Sequence, residues 1–68
     1  GAVIVRVKPG STAEELGVRE GDIVLEVNRQ AVTSVKTFER IAGKLPKDQA
    51  VLLLLKRQGR TIYLTLRP

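Results

Sequence analysis

Residues 16–28 read LGVREGDIVLEVN, and this stretch of sequence decides the fold. Gly17 stands where a left-handed residue commonly ends a short helix. Gly21 can adopt a positive φ and Asp22 can accept hydrogen bonds from nearby amides, so together they predict a polar turn. The residues after this turn alternate as those of a β-strand do, and the odd-numbered ones are expected to face the core: Ile23, Leu25 and Val27. The stretch therefore predicts a helix end, a turn and a core strand in succession.

The segment before this stretch is predicted to hold a strand and a short helix. Residues 2–7 are mostly β-branched and are followed by the breaker sequence KPGS at residues 8–11. Ser11 and Glu14 have the spacing of a capping box, in which each side chain bonds the backbone amide of the other residue. The helix that follows is expected to span about one to two turns, because Gly17 ends it.

A longer helix is predicted after a turn within residues 28–32, whose type the sequence leaves open. Ser34 is a good N-cap for residues 35–44, and Pro46 ends the helix because the residue before a proline is disfavoured in helical geometry. Apolar residues recur there at helical spacing and form one stripe: Val35, Phe38, Ala42 and Leu45, with Ile41 beside them.

The C-terminal third reads as a β-hairpin around Gln58 and Gly59. Residues 51–55 form an unbroken apolar run, which suggests a strand covered on both faces. The second arm alternates and predicts three inward residues: Ile62, Leu64 and Leu66. The predicted order of elements along the chain is thus β-α-β-β-α-β-β.

Composition limits the classes of function. The chain has 68 residues, a formal net charge of +5, and neither cysteine nor histidine. One domain fits this length, and apolar packing must stabilise it without disulfides. The longest apolar run, residues 50–55, is far shorter than the roughly 18 to 20 residues of a membrane span, so we expect no membrane insertion.

The sequence offers little chemistry for catalysis, for a cofactor or for a metal. Without histidine or cysteine, only seven carboxylates remain, and none recurs at the spacing of zinc or calcium ligands. Ser11 and Ser34 are interpreted as helix caps and not as nucleophiles. Nucleic-acid binding is not expected either, because Phe38 and Tyr63 are the only aromatic residues and Phe38 lies on the apolar stripe. We therefore predict a non-catalytic module that uses no cofactor.

Several segments together resemble the PDZ domains of bacterial HtrA/Do-like serine proteases. They are VKPGSTA at residues 7–13, LGVREGDIV at residues 16–24, VN at residues 27–28 and TIYL at residues 61–64. The resemblance covers essentially the whole chain. It implies an α+β fold, a small and partly open antiparallel β-barrel or sandwich with one short and one longer helix.

The resemblance also implies recognition of an extended peptide, usually a free C-terminus, by β-augmentation beside a helix. On the helix from residue 35, it implies that Val35, Glu39 and Ala42 face the peptide. Phe38, Ile41 and Leu45 would face the core, although each apolar member of the peptide-facing set could also be plain core. A carboxylate at Glu39 would favour a basic or polar peptide side chain beside it.

The family resemblance places the carboxylate-binding loop, and the strand that pairs with the peptide, before the segment corresponding to residues 1–7. We therefore expect both, and any targeting segment, to lie outside these 68 residues. The implied partners are C-terminal or unfolded peptide segments and neighbouring domains or subunits of a parent protease, in the periplasm or cell envelope. Two alternatives stay open: an assembly PDZ that joins domains or subunits without binding free peptide, and the PDZ of a membrane-embedded or tail-specific protease.

Overall fold

Five strands and two helices make up the computed structural model, which describes residues 1–46 and 48–66. In chain order they are β1 (Ala2–Val3), α1 (Thr12–Glu15), β2 (Ile23–Val27), β3 (Gln30–Ala31), α2 (Val35–Gly43), β4 (Val51–Arg57) and β5 (Arg60–Leu66). The predicted order of elements is confirmed. All strand pairs are antiparallel, the sheet order is β1-β2-β4-β5, and β3 extends the sheet by pairing with β2. The sheet stays open, as expected for the predicted α+β class.

Local signals set both helix starts. The Ser11 hydroxyl accepts a hydrogen bond from the Glu14 amide at 3.3 Å, and the Ser34 hydroxyl accepts one from the Thr37 amide at 3.2 Å. The second half of the predicted capping box differs, because the Glu14 carboxylate accepts from the Gly10 amide at 3.0 Å instead of from Ser11. Gly17 ends α1 with a φ of +85°, as predicted.

The predicted core face of β2 is wrong in part. Val24 and Val27 are fully buried, whereas Ile23 and Leu25 are only half-buried. The cause is a β-bulge: Val24 lies opposite Leu55 and Glu26 lies opposite Leu54, which leaves Leu25 as an extra residue. A bulge of this kind interrupts the two-residue alternation of a strand, so the inward positions become 24 and 27.

The C-terminal hairpin follows the prediction except at Leu66, the last residue of the edge strand β5, which is exposed and not inward. Gln58 and Gly59 have φ of +51° and +79°, the positive values that a tight two-residue type I′ turn requires. Within residues 51–55, the odd-numbered side chains are buried and the even-numbered ones are half-buried, so the two faces are covered unequally. On β5, Ile62 and Leu64 are half-buried and the predicted inward residue Leu66 is exposed.

The core lies between the sheet and the two helices. From the helical side it receives Phe38 and Ala42 of α2, together with Leu16 and Val18 after α1. From the strands it receives Ala2, Val24, Val27, Val51 and Leu53. Neither helix in the described ranges has the length and apolar character needed to cross a membrane.

Candidate peptide groove beside helix α2

A groove of about 350 Å³ separates one flank of α2 from the N-terminal residues 4–8. The three residues predicted to face a peptide, Val35, Glu39 and Ala42, all line it. Their spacing along the helix places them on one flank, because residues three and four positions apart lie above one another. The structure therefore brings the predicted set together on a single surface.

The three helix residues contribute differently to the groove. Val35 is 43% exposed and Glu39 is exposed, so both are accessible to a ligand. Ala42 is 7% exposed and also belongs to the hydrophobic core, so it forms part of the groove floor. Its small side chain leaves room that a larger residue would fill.

The residues predicted to face the core do so. Phe38 is buried in the core cluster, and Ile41 and Leu45 are half-buried and pack against that cluster. Phe38 also reaches the groove floor. One flank of α2 thus holds the helix to the sheet while the adjacent flank stays open.

The opposite wall of the groove was not predicted. It includes Ile4, Arg6 and Lys8, alternate residues of the N-terminal segment. Residues 2–7 were expected to form one strand, but β1 ends at Val3, so the segment beyond it is irregular. Ile4 still pairs with the turn after α1. Its amide donates to the backbone carbonyl of Asp22 at 2.8 Å, and its carbonyl accepts from the amide of Gly21 at 2.7 Å.

Beyond Ile4, this segment has an open backbone edge. In the described ranges, no backbone hydrogen bond joins residues 5–7 to another backbone group. The side chain of Val5 on this segment is 81% exposed. Unpaired amides and carbonyls on an extended segment are able to pair with another chain.

The groove carries both signs of charge. Glu39 lies on the helix side, and Arg6 and Lys8 line the opposite side. The described residues contain one ion pair, Asp22 with Arg57, and it lies outside the groove. The three groove charges are therefore available to a ligand.

Asp22 is the one buried charged residue in the described part of the chain, at 2% exposed. Its carboxylate accepts from Arg57 Nε at 2.9 Å, from Arg57 Nη2 at 2.7 Å and from the Arg19 amide at 2.9 Å. Hydrogen bonding by the Arg57 side chain is the main cause that lowers the pKa of Asp22 below its ordinary value of 3.8, and burial opposes this shift. The pair fastens the Gly-Asp turn to β4 and points to a structural role.

The acidic side chains outside the groove and the two serines have other positions or roles among residues 1–46 and 48–66. No group of three or more acidic residues lies together there as metal ligands would. Ser11 and Ser34 both act as N-caps, as predicted. The groove beside α2 is therefore the feature on which the predicted site residues meet.

Comparison with known proteins agrees with this geometry. A family model described as a PDZ domain matches residues 3–57. The chain is 37% identical, over 98% of its length, to a probable DegP-like periplasmic serine endoprotease of Pseudomonas fulva, and equally so to one of Halomonas elongata. It spans 14% of the length of each of these relatives.

A solved structure supports the same assignment. The crystal structure of a serine endoprotease from Yersinia pestis superposes with a TM-score of 0.73 at 29% identity. The match covers 91% of this chain and 23% of that one. The likeness therefore concerns one module of a larger protease.

Proposed function

Since this chain belongs to the PDZ domain family, a family of non-catalytic protein-interaction modules, we propose that it recognises extended or C-terminal peptide segments for a DegP-like serine protease. The observation that carries the proposal is the groove between α2 and residues 4–8, which gathers Val35, Glu39 and Ala42. Any proteolysis belongs to the parent protease in this proposal. The module supplies peptide for it.

The chemistry of the groove suits a peptide. The apolar Val35 and Ala42 offer contacts to side chains, while Glu39 and Arg6 offer charges of opposite sign. A peptide laid beside a sheet gains affinity from its main chain and specificity from such side-chain contacts.

The unpaired backbone of residues 5–7 gives a place for a further strand. From the family resemblance, we propose that this strand and the carboxylate-binding loop precede residue 1 in the parent protein. The strand would join the sheet at residues 5–7 and form the wall opposite α2, so that in the parent protein the peptide would lie between this strand and α2. In the 68 residues alone, the peptide would lie directly against residues 4–8. On this proposal, the 68 residues alone bind peptide more weakly than a chain that carries the additional strand.

Fluorescence anisotropy with a labelled peptide library tests the proposal. The peptides are made with a free C-terminus and as amides, and are titrated against the 68-residue chain and an N-terminally extended form. Val35→Lys should weaken binding about tenfold, because it places a charge on the apolar part of the groove. Val3→Lys is the matched control, since Val3 is 53% exposed and does not line the groove.

Two results would sink the proposal. One is the absence of saturable binding by both forms of the chain. The other is equal weakening by Val35→Lys and Val3→Lys, which would show that the helix flank does not select the peptide. A strong preference for the free C-terminus in the extended form alone would support the placement of the carboxylate-binding loop.

An assembly function is the second candidate, and the open edge at residues 5–7 favours it. Exposed Val5 on an unpaired edge could pair with a neighbouring domain or subunit. Sedimentation velocity over a wide concentration range tests this function, with Val5→Lys as the disrupting variant. A strict monomer at high concentration would argue against self-association through this edge.

We also propose a periplasmic or cell-envelope location. The support is that relatives of this chain are named as periplasmic proteases. Fractionation of cells that express the parent protein, followed by detection with an antibody against this domain, tests the location. Recovery in the cytoplasmic fraction alone would overturn it.

A further inference from the structure

A second cavity lies on the other flank of α2, where the β2–β3 hairpin approaches the C-terminal half of the helix. Its volume is about 500 Å³, larger than that of the peptide groove. Arg40 and Lys44 line it from the helix, and Asn28 and Gln30 line it from the hairpin. Ile41 and Leu45 give it an apolar surface. No residue is shared between this cavity and the groove.

The charge of this cavity has one sign. Arg40 and Lys44 are separated by one helical turn, so their side chains lie on the same flank and repel each other. Neither forms an ion pair with any described residue. Glu26 lies opposite Ala31 in the sheet, but it does not line the cavity. An anionic ligand would therefore meet two cations with no acidic side chain among the lining residues.

The side-chain amides of the β2–β3 hairpin add hydrogen-bond donors beside the two cations. The Asn28 side-chain oxygen is occupied, because it accepts from the Leu52 amide at 2.8 Å. The amide nitrogen of that side chain keeps its hydrogens for a ligand, as does the side chain of Gln30. These donors and the two cations favour the same kind of ligand, one that is rich in oxygen acceptors.

We propose that this cavity is a second binding site, which takes an acidic segment of a partner protein. A ligand carboxylate lies between Arg40 and Lys44, and an adjacent aliphatic side chain packs against Ile41 and Leu45. The side-chain amides of the hairpin bond to peptide carbonyls. A nucleic acid fits less well, because two cations neutralise few phosphates and no aromatic residue lines the cavity.

The alternative explanation for the two cations is structural. Positive side chains near the C-terminus of a helix are stabilised by its dipole and need no ligand. That explanation does not account for the apolar surface and the amide donors beside the charges. The two explanations differ in whether the cations discriminate between ligands, which is measurable.

The test is an NMR titration of the ¹⁵N-labelled chain with a short peptide of alternating Glu and Leu, acetylated and amidated to remove its terminal charges. Shifts should concentrate at residues 28–31 and 40–45. The double variant Arg40→Gln/Lys44→Gln should weaken binding about tenfold, which corresponds to the loss of two charge contacts.

Two matched double variants remove the same charge elsewhere. Arg6→Gln/Lys8→Gln acts in the peptide groove, and Lys56→Gln/Arg60→Gln acts near the β4–β5 turn. Each should change the affinity less than about twofold, the scale of a distant exposed charge. Thermal unfolding of every variant confirms that the fold is kept.

Several results would overturn the proposal. They are equal weakening by all three double variants, shifts centred on residues 4–8, equal affinity for a peptide with Gln in place of Glu, and equally potent displacement by a single-stranded oligonucleotide. Val35→Lys separates this site from the peptide groove. It should weaken groove binding about tenfold, as above, and leave the acidic peptide's affinity unchanged, so the two proposals fail independently.

Discussion

The guanidinium of Arg57 in β4 donates hydrogen bonds to both oxygens of the Asp22 carboxylate, from Nε to Oδ1 at 2.9 Å and from Nη2 to Oδ2 at 2.7 Å. The same Nη2 donates to the carbonyl of Gly17 at 3.2 Å. One side chain thus ties the end of α1, the Gly-Asp turn and the sheet together.

Replacing Arg57 by methionine should lower the free energy of unfolding by about 2 to 4 kcal/mol, because it leaves a buried carboxylate without its counter-ion. Urea unfolding followed by circular dichroism measures this. Lys56→Met is the control, since Lys56 is the exposed neighbour on the same strand. The double variant Asp22→Asn/Arg57→Met should be less destabilised than the sum of the two single variants. Additive effects would contradict a coupled pair.

The Asp22–Arg57 pair should also make the free energy of unfolding fall at acidic pH. The folded-state pKa of Asp22 lies below its ordinary value of 3.8, chiefly through hydrogen bonding by Arg57. The pair therefore contributes its full stabilisation at pH values above 3.8, and this stabilisation is lost as the pH falls through the lower pKa of the folded state. Urea unfolding from pH 7 to pH 2 should show a decline that Asp22→Asn reduces. An identical decline in both proteins would assign the acid sensitivity to other carboxylates.

Local signals in the sequence predicted much of the fold. The helix end at Gly17, the cap at Ser34 and the turn at Gln58 and Gly59 depend on residues close together in the chain, so pattern alone predicts them. The core face of β2 was partly mispredicted. Its bulge at Leu25 arises from pairing with β4, and strict alternation gives no sign of it.

In the candidate site, too, some residues were predicted from the sequence and others depend on contacts between distant parts of the chain. The family resemblance alone implied the helix side of the groove, which consists of Val35, Glu39 and Ala42. Arg6 in the opposite wall was missed, because its position depends on how the irregular segment after β1 lies relative to α2, a contact between residues far apart in the chain. The partner of Asp22 was missed for a similar reason: Arg57 is 35 residues away, and only strand pairing brings it close.

Arg29 should be a site where glycine stabilises the fold. Asn28 and Arg29 form the β2–β3 turn with φ of +49° and +67°, and a side chain at positive φ is strained. Arg29→Gly relieves that strain but makes the unfolded chain more flexible, so we expect a net gain of about 0.5 to 1 kcal/mol. Thermal unfolding measures it, with Arg29→Ala as the control that keeps the strain. A loss of stability in Arg29→Gly would show that the arginine side chain makes a stabilising contact.

Glu39 should set the charge preference of the peptide groove. Its carboxylate is exposed, lines the groove and forms no ion pair with a described residue, so a basic peptide side chain can approach it. Because exposed charge pairs contribute about 0.2 to 1 kcal/mol, Glu39→Gln should weaken binding of a lysine-containing peptide by up to about fivefold. Glu39→Lys should reverse the preference between lysine and glutamate peptides, and added salt should reduce both effects because it screens exposed charges. Anisotropy titrations with the two peptides, and with a glutamine peptide as control, measure this. If both peptides lost affinity equally in Glu39→Lys, Glu39 would not face the bound peptide, even if the groove itself binds it.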